Sequence, residues 1–110
     1  MPYFVKTTPH FEHEAKRLSK KYVSLKKELK DFVEELKENP EQGIPLGNSI
    51  FKIRLAIASK GKGKRGGARI ITYIKTEQGN IFLLSIYDKG EKDTISDDEI
   101  QKLLNSVIED

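Results

Sequence analysis

The chain has 110 residues, with 20 basic and 17 acidic side chains, 36% hydrophobic residues and no cysteine. That length holds one domain, residues 1–110, with a modest core, and the missing cysteines exclude a disulfide framework and thiolate metal sites. The apolar residues are periodic, which excludes a disordered polyelectrolyte, and no run reaches signal-peptide or membrane-span length, so a cytoplasmic protein with no membrane partner is expected.

Tyr3 to Lys6 is a short β-favouring run that stops at Thr8-Pro9. Threonine before proline suits an N-cap and first helical position, because proline has no N–H to lose there. Phe11, Ala15 and Leu18 then follow at helical spacing and predict a helix over 9–20. Ser24 is placed to cap a second helix, in which Leu25, Leu29, Phe32, Val33 and Leu36 form one apolar stripe before Asn39-Pro40 ends it. Two helices so close in sequence predict a helical hairpin, followed by a loop through Gly43 and Pro45. The period then changes to two. Phe51, Ile53, Leu55 and Ile57 alternate with Lys52, Arg54, Ala56 and Ala58, the pattern of a half-buried strand. A second strand is predicted over Ala68 to Thr76 and a third over Ile81 to Tyr87, joined by a turn at 77–80. Ser96-Asp97-Asp98-Glu99 matches a capping box, and Ile100, Leu103, Leu104, Val107 and Ile108 complete a last helix. The expected fold is α+β, an antiparallel sheet of about four strands with an N-terminal helical hairpin and a C-terminal helix, in the order β-α-α-β-β-β-α.

Charge is segregated along this plan. Between Asn48 and Lys75 stand eight basic residues and no acid; the rest of the chain has twelve basic against seventeen acidic residues, a balance of −5. A segregated basic face points to a nucleic-acid backbone. Strand alternation, with Phe82, Leu84 and Ile86 set inward, places Lys52, Arg54, Arg69, Tyr73, Tyr87 and Lys89 on one sheet face, none of them acidic. Between the strands, Lys60, Lys62, Lys64 and Arg65 form a Gly/Lys loop suited to holding phosphate.

Other motifs carry less. Gly61-Lys62-Gly63-Lys64-Arg65-Gly66 formally fits G-x-G-x-x-G, but a strand follows where the dinucleotide fingerprint needs a helix, and Arg65 stands where a Walker A loop needs Ser or Thr. A solvated hairpin loop is the plain alternative. His10 and His13 are spaced for one helix face, yet two ligands do not make a metal site, so neither metal nor cofactor is expected. No serine elbow or paired carboxylates mark the basic face, against acyl transfer, glycosidase or two-metal chemistry.

Together, Asn39-Pro40-x-x-Gly43, Phe51-Lys52-Ile53-Arg54-Leu55, Gly66-Gly67-Ala68-Arg69-Ile70-Ile71-Thr72-Tyr73 and Ile86-Tyr87-Asp88-Lys89-x-Glu91-Lys92 resemble the RelE/ParE toxin superfamily, in particular its HigB/RelE-like branch. The resemblance spans about Phe11 to Leu104. It implies the toxin of a type II toxin–antitoxin pair, with a cognate antitoxin, often a helix-turn-helix protein, as partner. Many such toxins are ribosome-dependent endoribonucleases acting on mRNA, and the ParE branch inhibits DNA gyrase. A nucleic-acid-binding module without catalysis is a further alternative. The family's basic pair falls on Lys52 and Arg54, its strand arginine on Arg69, and its later basic positions on Lys89 and Lys92. RelE-type members often carry a catalytic tyrosine soon after the last strand; here that stretch reads Asp93-Thr94-Ile95-Ser96. That role is vacant or moves to Tyr73 or Tyr87.

RNA carries its own nucleophile, so an enzyme need only deprotonate the 2′-hydroxyl, hold the phosphorane charge and protonate the leaving oxygen. Arg69 and Arg54 suit the charge, being permanently cationic and bidentate. Lys52, crowded by positive neighbours, is the candidate base, Lys89 or Tyr87 the candidate acid, and Tyr73 a platform for stacking on a nucleobase. A site of such modest means gains from a ribosome that orients the RNA.

Overall fold

The computed structural model describes residues 3–61 and 63–108, without the side chains of Lys64, Arg65 and Ile108. Its order is β1 (Phe4–Thr7), α1 (Pro9–Lys21), α2 (Leu25–Glu38), β2 (Ile44–Gly47), β3 (Ile50–Leu55), a helical turn α3 (Gly63–Gly66), β4 (Ala68–Lys75), β5 (Asn80–Asp88) and α4 (Asp97–Ile108). Short 3₁₀ turns at Ala58–Lys60 and Thr76–Gln78 bracket β4. The strands form one five-stranded sheet in the order β1-β5-β4-β3-β2.

The helix signals hold locally. The Thr8 side chain accepts from the Phe11 N–H at 3.2 Å, as an N-cap should, and itself donates to the Leu83 carbonyl at 3.0 Å. At α4 the Ser96 hydroxyl accepts from the Glu99 N–H at 3.2 Å. Ser24 does not cap α2 in this way. Its hydroxyl bonds Glu28 and Ser59, both at 2.9 Å, and so fastens the start of α2 to the 3₁₀ turn that follows β3.

The sheet differs from expectation in two ways. It has a fifth strand, β2, and it is mixed, because β1 runs parallel to β5 with Phe4 beside Asn80. Pro45 and Gly47 hide β2 in the sequence, and a proline is tolerated there because β2 lies at the sheet edge. The β2–β3 turn has Asn48 and Ser49 both at positive φ (55° and 63°), the backbone of a two-residue type I′ turn.

Helices cover both faces of the sheet. On one face α1 and α2 bury Phe11, Leu18, Leu25, Phe32 and Leu36 against Ile53, Ile70, Ile81, Leu83 and Ile86. On the other face α4 buries Ile100, Leu104 and Val107 against Ile50, Ile71, Leu84 and Tyr87. Strict alternation therefore fails in β5. Opposite β4 the register steps from Ile71↔Ser85 to Thr72↔Leu83, a bulge that re-phases the strand. Phe82 and Leu84 turn to the α4 side, whereas Ile86 faces α1 and α2, so the inward set Phe82, Leu84, Ile86 is corrected to Ile81, Leu83, Ile86.

Candidate active site

Where α4 leaves the sheet uncovered, the strands open into a cleft of about 350 Å³ lined by Ile44, Lys52, Arg54, Arg69, Lys89 and Asp93. Its floor follows from register. Arg54 sits opposite Arg69 on neighbouring strands, and Arg69 opposite Tyr87 on the next. Like charges directly opposite repel, so this pairing costs stability unless an anion or a counter-charge offsets it. Arg69 is held rather than mobile: it is 5% exposed, and its guanidinium donates to the Ala68 carbonyl at 3.1 Å. Lys52 and Lys89 are half-buried and Arg54 exposed, grading the cleft from a fixed base to an open rim.

Gly67 lets β4 reach this position. A Cβ there would lie 2.2 Å from the Leu55 carbonyl oxygen, so only glycine fits, and the Gly67 carbonyl accepts from the Lys89 N–H at 3.0 Å. One residue thus joins the ends of β3, β4 and β5 beneath Arg69 and Lys89.

Asp93, missed in the sequence, is the sole carboxylate among the described residues that line the cleft. It accepts a charged hydrogen bond from the Lys89 ammonium, which also reaches the Asp93 carbonyl at 2.9 Å. Lys89, with lesser contributions from Lys52 and Arg69, holds the Asp93 carboxyl below the ordinary carboxylate range, although its side chain is 90% exposed. No local signal marked it, because Lys89 and Asp93 stand in a turn segment and not on a helix, where i, i+4 spacing would pair them.

Four of the sequence-derived residues, Lys52, Arg54, Arg69 and Lys89, meet in this cleft; the others are placed elsewhere. Tyr73 is four residues from Arg69 along β4, roughly 13 Å at strand rise. It packs on Phe82 with ring centroids 6.2 Å apart beside the α4 core, so it offers no stacking platform over the cleft. Tyr87 lies in that same core, 5% exposed, with its hydroxyl buried and lacking a hydrogen-bond partner among the described residues. Lys92 pairs with Glu99 at the start of α4, 6.0 Å from the Tyr87 ring centre. Lys62 and the side chains of Lys64 and Arg65 lie outside the described residues.

Lys60 is the clearest correction. Instead of a mobile loop charge, its ammonium is 12% exposed and ion-paired with Asp88, which is itself 1% exposed. Asp88 also accepts from the Tyr22 hydroxyl at 2.6 Å and the Gly90 N–H at 2.9 Å. Burial pushes the Asp88 carboxyl up, but the Lys60, Tyr22 and Gly90 hydrogen bonds outweigh it and hold the group down at about 2. A buried carboxylate at the end of β5 required a cation, and the 3₁₀ turn supplies it.

Comparison with known proteins decides the family. The model for the RelE toxin of the RelE / RelB toxin-antitoxin system matches residues 7–107. The chain belongs to the RelE toxin family. Solved RelE-family structures share its fold at low identity. A double mutant of Escherichia coli RelE in the free state superposes with a TM-score of 0.61 at 19% identity, covering 84% of this chain and 90% of that one. The RelBE2 toxin–antitoxin complex of Mycobacterium tuberculosis gives 0.59 at 22%, covering 80% and 99%. Isolated E. coli RelE gives 0.60 at 16%, covering 96% and 98%. The RelE-like fold expected from the sequence is present, with the fifth strand added. No helix among the described residues is long and apolar enough to cross a membrane.

Proposed function

We propose that this RelE-family toxin is a ribosome-dependent endoribonuclease that cuts mRNA by metal-independent attack of the 2′-hydroxyl on the adjacent phosphate. The observation that carries this reading is the meeting of Lys52 and Arg54 from β3, Arg69 from β4 and Lys89 from the segment after β5 in one open cleft. A phosphate is the anion that best offsets the Arg54–Arg69 pairing. Arg69, fixed at the base, and Arg54, at the rim, hold the non-bridging oxygens as negative charge builds. Lys52 takes the 2′-hydroxyl proton, the 2′-oxygen bonds to phosphorus, and the bond from phosphorus to the 5′-oxygen breaks. Lys89 gives its proton to that leaving oxygen. The products are a 2′,3′-cyclic phosphate and a 5′-hydroxyl. Tyr87, with its hydroxyl sealed under α4, is left out of the proton inventory, and Asp93 keeps Lys89 aimed across the cleft.

With no histidine among the described residues that line it, the cleft has modest chemical power, and a ribosome that presents the mRNA in line supplies orientation worth several orders of magnitude in rate. An antitoxin partner accompanies this reading, supported by family membership and by a fold shared with a toxin solved in complex with its antitoxin. The test is cleavage of mRNA on programmed ribosomes by the purified protein, using a transcript with one 2′-deoxynucleotide at the cut position. Cleavage of the all-ribose message to a cyclic phosphate, blocked by the single deoxy substitution, is expected. Continued cutting at the deoxy position would overturn the 2′-hydroxyl mechanism.

A further inference from the structure

A second basic surface lies on the helices of the opposite sheet face. Residues 16–30 hold seven basic side chains and one acid, Glu28, a balance of +6 over fifteen residues. Two of the seven are used internally: Arg17 bonds Glu91 at 2.8 Å, and Lys21 bonds Glu91 at 3.2 Å. The other five, Lys16, Lys20, Lys26, Lys27 and Lys30, are exposed and make no ion pair or hydrogen bond among the described residues.

Helix stability does not account for them. Cations stabilise a helix at its C-terminal end and destabilise it at its N-terminal end. Lys20 is well placed at the end of α1, but α2 carries its charge backwards. Its first half, 25–31, holds Lys26, Lys27 and Lys30 against Glu28 and Asp31, a balance of +1, while its second, 32–38, holds Lys37 against Glu34, Glu35 and Glu38, a balance of −2. Lys26 and Lys27 stand in the first turn at a cost to their own helix, next to the basic end of the preceding one. Geometry then gathers them. Lys16 and Lys20 from α1 and Lys26 from α2 border one cleft of about 530 Å³, with Phe11, Ala15 and Leu29 in its walls and Glu12 as its one acid. Lys16/Lys20 and Lys26/Lys30 are i, i+4 pairs, each separated by about 6 Å.

We propose that this face binds the phosphate backbone of base-paired RNA, as an anchoring surface separate from the reacting cleft. Two rows of ammonium groups on either side of a cleft suit the two phosphate strands that border an RNA groove, where recognition is by shape and charge. Lysine serves as a flexible point charge for this purpose. A membrane is the poorer match, because Val23, 86% exposed, is the one large exposed apolar side chain between these helices. The inference deepens the RNA reading of the protein and draws on it only for the identity of the polyanion.

The test uses the full chain carrying Arg69→Ala, so that RNA stays intact, with and without Lys16→Gln, Lys20→Gln, Lys26→Gln and Lys30→Gln together. Anisotropy with a fluorescent RNA duplex is read across a salt series. The four substitutions are expected to weaken duplex binding at least tenfold at low salt and to lower the log–log salt slope by roughly 2–4, at about 0.7–0.9 per phosphate contact. Removing Lys26 and Lys30 relieves the N-terminal half of α2, so lost binding will not report unfolding, and matched thermal melts verify this. Unchanged affinity and slope would overturn the proposal. So would an unchanged slope with lost binding to phosphatidylserine vesicles or to the antitoxin, which would assign the face to those partners. A protein that binds duplex through these lysines yet cuts no mRNA would sustain this inference and sink the cleavage reading alone.

Discussion

Lys60→Met leaves the Asp88 carboxylate buried without its closest cation, and the cost follows from the surroundings of that group. In the parent, Asp88 is held at about 2 against an ordinary 3.8, a difference worth about 2 kcal/mol of folding stability. Because the folded value is depressed, this stability is fully present above about pH 4 and is lost as pH falls through about 2. In the variant the burial that raises the Asp88 value keeps its full weight, while the strongest opposing hydrogen bond is gone. Loss of one member of a buried pair costs about 3–5 kcal/mol, and Tyr22, Gly90 and the Lys21 ammonium at 3.7 Å remain, so about 2–4 kcal/mol is expected at pH 7. Urea unfolding of parent and variant at pH 7, 5 and 3 measures this. The gap should be widest at pH 7 and 5 and should narrow at pH 3. Adding Asp88→Asn to Lys60→Met should recover part of the loss, since a neutral amide can keep the Tyr22 bond without a buried charge. A gap independent of pH, or a variant as stable as the parent, would refute the reasoning and return Lys60 to the role of a solvated loop charge.

Three further substitutions test other parts of the account. Gly67→Ala forces a Cβ against the Leu55 carbonyl and should destabilise by roughly 1–3 kcal/mol in chemical denaturation. Tyr87→Phe removes a buried hydroxyl that lacks a partner, so thermal melts should show equal or higher stability, and growth inhibition on induction should persist. Lost toxicity in a folded Tyr87→Phe protein would restore the tyrosine as the acid. Asp93→Asn removes the one carboxylate among the described residues that line the cleft, so single-stranded RNA should bind more tightly in anisotropy, while single-turnover cleavage on ribosomes slows as Lys89 loses its anchor.

Much of this architecture was written in local signals. Thr8-Pro9, the capping box at Ser96 and the alternation of Phe51, Ile53 and Leu55 each act over a few residues and point to the elements observed. Lys52, Arg54 and Arg69 could be brought together because β3 and β4 pair without a shift through those positions. What escaped depends on distant partners. β2 is stable as a strand because β3 lies beside it, and its proline and glycine argue locally for a loop. The β5 bulge is a property of the β4–β5 pair, so Tyr73 and Tyr87 were placed on the correct face without showing that α4 would cover it. Lys60 could not be distinguished from its neighbours in the Gly/Lys run until Asp88, 28 residues on, claimed it.

The cleft's role in cutting mRNA is tested most directly by sequencing mRNA 5′ ends after brief induction of the parent and of Arg69→Ala. Arg69 is the fixed cation at the base of the cleft, and losing one preorganised donor of this kind costs about 10²–10³ in rate. Codon-phased cuts within open reading frames are expected in the parent and should vanish, with toxicity, in the folded variant. Undiminished cuts in Arg69→Ala, or a toxic parent that leaves mRNA whole and damages DNA as a gyrase inhibitor would, contradict the account.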